Sequence, residues 1–90
     1  MTNMPSGKEP EPGYFARAIS DEVSVAMARH RVSGTQLARM IGRSQSYVSK
    51  RLNYGAAFTA NDVELISEVM GEDLLGLLRS AVLAARQAKR

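Results

Sequence analysis

Phe15, Ile19, Val23, Ala26 and Met27 recur at the three- and four-residue spacing that gathers side chains on one side of an α-helix, which predicts a helix from 14 to about 31. The stretch "RVSGTQLA" interrupts this pattern and restarts it. Ser33 has the side chain of an N-cap, Gln36 three residues on completes a capping box, and Val32 and Leu37 are placed to form a hydrophobic staple. The second helix is therefore expected from 34 to about 41. Gly42 ends it, because a residue without Cβ enters the left-handed conformation of a helix terminus without steric penalty. Ser44 caps a third helix, from 45 to about 53. After a loop through Tyr54, Gly55, Ala56, Ala57 and Phe58, Thr59 or Asn61 opens a fourth helix that ends near 70 at Gly71, with Val63, Ile66, Val69 and Met70 facing inward. Asp62 and Glu64 lie in its first turn, where the helix dipole favours acids. A fifth helix starts at Glu72 or Asp73 and runs towards 90. No stretch alternates with the period of two that a strand requires, so the expected fold class is all-α, five short helices with short connections.

Residues 1–13 ("MTNMPSGKEPEPG") hold all three prolines and almost no apolar side chains, and read as a disordered tail before a unit spanning 14–73 and a C-terminal helix over 74–90. Ninety residues allow one small domain, whose core must come from Leu, Val, Ile, Met and Ala because Trp is absent and aromatics are few. The absence of Cys excludes disulfides, thiolate metal sites and a thiol nucleophile, and a lone His30 cannot build a His-rich metal site. No basic segment followed by an apolar run stands at the N-terminus, and no window is apolar for the length of a membrane span. These features lead to the expectation of a soluble cytoplasmic protein with no metal, no cofactor, no membrane contact and no small-molecule substrate. With no clustered His, Cys or carboxylates to form a catalytic site, it is not expected to be an enzyme.

Charge changes the picture more than composition does. From 23 to 61 there is no acid, while Arg29, Arg31, Arg39, Arg43, Lys50 and Arg51 all fall there. The next twelve positions, 62–73, hold five acids and no base, and 74–90 hold four bases and no acid. Blocks of one sign create fields that steer charged partners.

The second and third helices are joined by a turn too short to let them lie far apart. Crossing steeply at close range needs a small residue on the second helix, a turn residue tolerant of positive φ, and an aliphatic anchor on the third. Ala38, Gly42 and Val48 meet these demands in order, with Leu37, Ile41 and Leu52 beside them. The resulting pattern, "L-A-x-x-x-G-x-S-x-x-x-V-S", resembles the helix-turn-helix of the phage Cro and repressor proteins, the large XRE-like family. The resemblance extends over about 14–78. "GRSQSYVSKRLNYGAAF" followed by "DVELISEVMG" is especially similar to small actinobacterial and actinophage members. It implies a five-helix, lambda-repressor-like domain that binds double-stranded DNA as a transcription regulator, most closely a Cro-like or immunity repressor that occupies an operator. Two positions depart from the family pattern. Gly34 stands where many members place a phosphate-contacting Gln, and Arg51 stands where an aliphatic residue is usual.

At 100° per residue, Ser46, Ser49, Lys50 and Asn53 fall opposite Val48 on the third helix, with Gln45 at its N-terminal tip and Tyr47 on a flank. Gln pairs bidentately with adenine, Lys reaches guanine and Ser bonds several bases. Gln45, Ser46, Lys50 and Ser49 are therefore the candidate base-reading residues. Ser33, Thr35, Arg43, Ser44, Tyr47, Asn53 and Tyr54 surround them as candidate contacts to the phosphate backbone. On the fifth helix, Leu75, Leu78, Val82 and Ala85 form one apolar line, assigned to packing within the chain. Leu77, Ala81, Ala84 and Ala88 form a second, assigned to a homodimer contact. Two other readings share part of this pattern: an antitoxin that represses its own operon, and a helical protein-binding adaptor, which predicts neither steep salt dependence nor preference for any duplex.

Overall fold

The computed structural model describes residues 10–89, and among them it is all-helical: α1 (Tyr14–His30), α2 (Gly34–Ile41), α3 (Gln45–Leu52), α4 (Ala60–Met70) and α5 (Leu74–Ala88). The tail expected over 1–13 falls mostly outside the described residues.

The helix starts follow from the side chains at their caps. Ser33 Oγ accepts from the Gln36 N–H at 3.1 Å, and Gln36 Oε1 accepts from the Ser33 N–H at 2.8 Å, so the expected capping box closes. Ser44 caps α3 by accepting from the Tyr47 N–H. Thr59, not Asn61, caps α4 and forms a second capping box with Asp62. Asp73 caps α5, so the helix expected to open at Glu72 or Asp73 begins at Leu74.

The ends of α1 to α4 share one device, a left-handed residue whose own N–H and the next one turn back onto the final turn. Gly42 (φ +71°) and Gly71 (φ +67°) fill this role without strain. At Gly42 an added Cβ would meet no atom within 4 Å, so the requirement there is backbone conformation and not space. Arg31 (φ +55°) and Tyr54 (φ +69°) occupy the same conformation at the ends of α1 and α3. After α3, the Tyr54 N–H reaches Arg51 O and the Gly55 N–H reaches Lys50 O at 2.7 Å.

One core collects Ile19, Val23, Ala26 and Met27 of α1, Leu37, Ala38 and Ile41 of α2, Val48 of α3, Val63, Ile66 and Met70 of α4, and Leu77, Ala81 and Ala85 of α5, with Phe58 from the loop. Phe15, expected in the α1 stripe, is exposed instead. It sits one turn beyond the core, at the rim of an apolar groove of about 450 Å³ whose walls include Ile19, Phe58, Val63, Leu74 and Leu78. The fifth helix requires a larger correction. Leu77 and Ala81, assigned to a dimer contact, are buried against α1 within the chain, while Leu75, assigned to packing, is 68% exposed. The side that α5 turns inward runs through Leu74, Leu77, Leu78, Ala81 and Ala85, so it draws on both predicted lines. Ala84 and Ala88 remain exposed.

Ser67 is buried in this core, and its hydroxyl has no hydrogen-bond partner among the described residues. A buried unsatisfied hydroxyl is destabilising, and alanine is also the better helix former. Ser67→Ala is expected to raise stability by about 1 kcal/mol, read as a thermal midpoint higher by roughly 4–8 °C. A lower midpoint would show that this hydroxyl is satisfied in solution.

Candidate nucleic-acid interface

Gln45, Ser46, Ser49 and Lys50 are all exposed on α3, and Val48 and Arg51 are buried behind them. The helix is therefore held by one face and presents the other, which carries no acid. Two contacts fix that presentation from below. Val48 is fully buried in the core, and the buried Ser20 hydroxyl on α1 donates to the Arg51 carbonyl at 2.8 Å, pinning the last turn of α3. Leu52 packs partly buried against the core.

Arg51, the residue at the usually aliphatic position, packs as a flat group. Its guanidinium lies 3.5 Å from the centre of the Tyr47 ring, and Nη1 donates to the Tyr47 carbonyl at 3.3 Å. A guanidinium is planar and weakly hydrated, so stacking on an aromatic face lets it be buried where an ammonium would not. Arg43 also lies over the Tyr47 ring, at 4.6 Å. Arg43, Tyr47 and Arg51 thus form a ladder spaced four residues apart along the turn and α3.

The ladder ends on Asp62, which sequence reasoning treated only as a first-turn acid. Asp62 is 3% exposed. Its Oδ2 accepts from the Tyr47 hydroxyl at 2.6 Å and from the Thr59 N–H at 3.1 Å, and its Oδ1 lies 3.6 Å from Arg43 Nε. Burial pushes this carboxyl up, but the bonds from Tyr47 and Thr59, with the Arg43 charge, more than reverse the effect and hold it below the usual aspartate range. The Tyr47 phenol is raised, by burial first and then by Asp62, so its hydroxyl stays protonated and donates. The capping-box spacing of Thr59 and Asp62 was a sequence signal for part of this arrangement. Nothing in the sequence pairs Tyr47 with an acid fifteen residues away.

These contacts revise the phosphate candidates. The Tyr47 hydroxyl is turned onto Asp62, and the Tyr54 hydroxyl donates to Asp21 on α1, so neither projects a free donor as expected. Both are tyrosines whose rings lie along the domain, and a carboxylate within reach captures the phenol. Asn53 folds back on its own helix, with Nδ2 donating to the Ser49 carbonyl at 2.9 Å. Ser33, Thr35, Arg43 and Ser44 stay exposed near the starts of α2 and α3. The cap hydroxyls of Ser33 and Ser44 accept from backbone N–H groups, which leaves the Ser33 O–H proton available to an anion, while Ser44 Oγ also lies 3.3 Å from Ser46 Oγ.

The charge blocks are also redistributed by the fold. Glu72 pairs with Arg29 at 2.8 Å and contacts His30 Nε2 at 2.6 Å, and these bonds, His30 first and then Arg29, lower its carboxyl below the usual range. Arg29 and Arg43 thus have acid neighbours, whereas Arg31, Arg39 and Lys50 are exposed without one among the described residues.

Asp62 and Glu72 give the pH dependence a sign. Both carboxyls are lowered in the folded protein, so their contribution is fully present above the unfolded values of 3.8 and 4.5, and it is lost as pH falls through the lower folded values. Urea midpoints measured from pH 7 downwards are expected to hold to about pH 5 and then fall steeply. The fall should be shallower in Tyr47→Phe, which removes a bond that lowers Asp62. Equal slopes in the two proteins would show that this bond does not set the acid limb.

Among the described residues no group of three or more His, Asp or Glu is placed to hold a metal ion, and no helix is long and apolar enough to cross a membrane. No family model and no curated protein matches the sequence. Among solved structures, two of the clp gene regulator ClgR from Corynebacterium glutamicum are similar in fold. One matches with a TM-score of 0.77 at 18% identity, over 89% of this chain and 84% of that one. The other matches with a TM-score of 0.72 at 19% identity, over 87% of this chain and 99% of that one. The likeness is one of fold.

Proposed function

We propose that this chain is a sequence-specific double-stranded DNA-binding regulator of transcription, with α3 lying in the major groove. The observation that carries this reading is the outward face of α3. It displays Gln45, Ser46, Ser49 and Lys50 together, has no acid, and is locked from behind by Val48 and the Arg51–Tyr47 stack. A helix presented this way fits the groove with its N-terminal residues against base edges. The exposed caps of α2 and α3, with Arg39 and Arg43, supply phosphate contacts around it. The fold shared with ClgR, whose name describes it as a regulator, supports the same class.

Within that class, the helix-turn-helix pattern "L-A-x-x-x-G-x-S-x-x-x-V-S" favours a small repressor of the Cro or immunity type that excludes polymerase by occupying an operator. Two copies on a two-fold operator would meet through surface outside the shared core, and α5 leaves Leu75, Leu83, Ala84 and Ala88 exposed for this. Selection of bound fragments from a random duplex library tests the reading. An enriched motif supports it, a palindrome supports pairing, and no enrichment with flat salt dependence would favour the helical adaptor instead.

A further inference from the structure

We infer that Asp62 is a positioning residue that makes DNA binding selective by fixing where Arg43 can meet a phosphate, so that only a matching site brings one into place. This inference rests on the proposed DNA-binding role. Arg43 stands at the turn between α2 and α3, with its side chain 46% exposed, while Asp62 is buried beneath it. The 3.6 Å separation of Nε and Oδ1 is an ion-pair distance beyond good hydrogen-bond range, so the pair acts through charge. The two Nη groups of Arg43 make no hydrogen bond among the described residues, and the ring of Tyr47 supports the guanidinium at 4.6 Å. Asp62 is itself fixed, because its other oxygen is already bonded to Tyr47 and Thr59.

A buried, immobile carboxylate next to a half-exposed guanidinium does two things. It cancels part of the charge that any duplex would attract. It also keeps the guanidinium in one place, facing outward with its strongest bidentate donors unused. On a random duplex Arg43 stays with Asp62. On a matched site, where α3 seats fully in the groove, a phosphate meets the two unused Nη groups while Nε stays beside Asp62. Asp62 thereby raises the ratio of specific to non-specific binding without touching DNA.

The test compares wild type, Asp62→Asn, Arg43→Ala and the double variant on a selected duplex and a random one, across salt concentrations, with folding checked by thermal melts. Asp62→Asn is expected to bind the random duplex roughly threefold to fivefold more tightly, from removal of one nearby charge. Its log–log salt slope there should steepen by up to about 0.9, with no gain on the selected duplex. Arg43→Ala should weaken the selected duplex and abolish the gain in the double variant. Equal or weaker random binding by Asp62→Asn, or a gain that persists without Arg43, would overturn the inference. If Asp62→Asn does not fold, Asp62→Gln replaces it, since Gln36 already completes the capping box of α2. A third arm needs no variant at Asp62: the Arg43 Nε–Hε resonance of wild type should shift on adding the selected duplex and not the random one, and a shift with both or neither counts against the inference. Absence of any salt-dependent duplex binding by wild type would instead sink the DNA-binding reading itself.

Discussion

Leu37→Ala is expected to lower the stability of this protein by about 3–4 kcal/mol, within the range for a leucine truncated to alanine in a core that cannot collapse around the gap. Leu37 is fully buried, and it sits where α2 meets the rest of the molecule. It is the fourth residue of α2, one turn after the cap, with the half-buried Val32 ahead of the cap packed on the same core. Its loss therefore removes core contacts and the clamp that fixes how the chain enters α2. The whole domain is stabilised by roughly 4–12 kcal/mol on size alone, so this one change removes a large share. A thermal midpoint lower by roughly 12–30 °C is the expected reading. Because α2 carries α3, the proposed DNA binding at room temperature should fall with the folded fraction and recover on cooling. A drop below about 1 kcal/mol would mean that the α2–core contact is far looser than its burial indicates.

The helices were legible because each boundary has a local cause. Ser33 with Gln36, Gly42, Ser44 and Gly71 act within a few residues of themselves, so their consequences can be read without knowing the tertiary structure. The α5 surface was not legible in the same way. Leu74, Leu75, Leu77, Leu78, Ala81, Val82, Ala84, Ala85 and Ala88 cover most of the helix circumference. Only the crossing of α1 decides which of them go inside, and that crossing is set by long-range packing. The polar side chains divide along the same line. The outward set on α3 follows from helical period and the burial of Val48. The Tyr47–Asp62 bond and the Tyr54–Asp21 bond join residues fifteen and thirty-three apart, and no periodicity reports on them. Arg51 is the sharpest case. As a charge in a basic block it reads as surface, and its burial depends on a ring one turn away that is itself held by Asp62. The spacing of Arg43, Tyr47 and Arg51 was visible all along, but its meaning required knowing that Asp62 closes the end of the ladder.

The other large effect is expected on α3 itself. Gln45→Ala and Lys50→Ala should each weaken binding to a selected duplex by about 1–3 kcal/mol, or roughly fivefold to 150-fold, while changing random-duplex binding much less. The asymmetry arises because a bidentate amide–adenine contact or an ammonium–guanine contact exists only when the correct base is opposite. Phosphates are present at every step. Both residues are exposed, and neither makes a side-chain hydrogen bond or an ion pair among the described residues, so truncating them should leave the fold intact. Lys50 carries one added constraint: Gly55 packs against its stem so closely that a Cβ there would come within 2.8 Å of Cγ. The loop after α3 therefore limits where the Lys50 ammonium can swing, and Gly55→Ala should degrade selectivity in the same direction as Lys50→Ala without removing a charge. Thr35→Ala provides the contrast. At the start of α2 it should weaken both duplexes alike, as a phosphate contact does. Parallel losses on selected and random duplexes for Gln45→Ala and Lys50→Ala would place these two side chains on the backbone and leave base reading to Ser46 and Ser49.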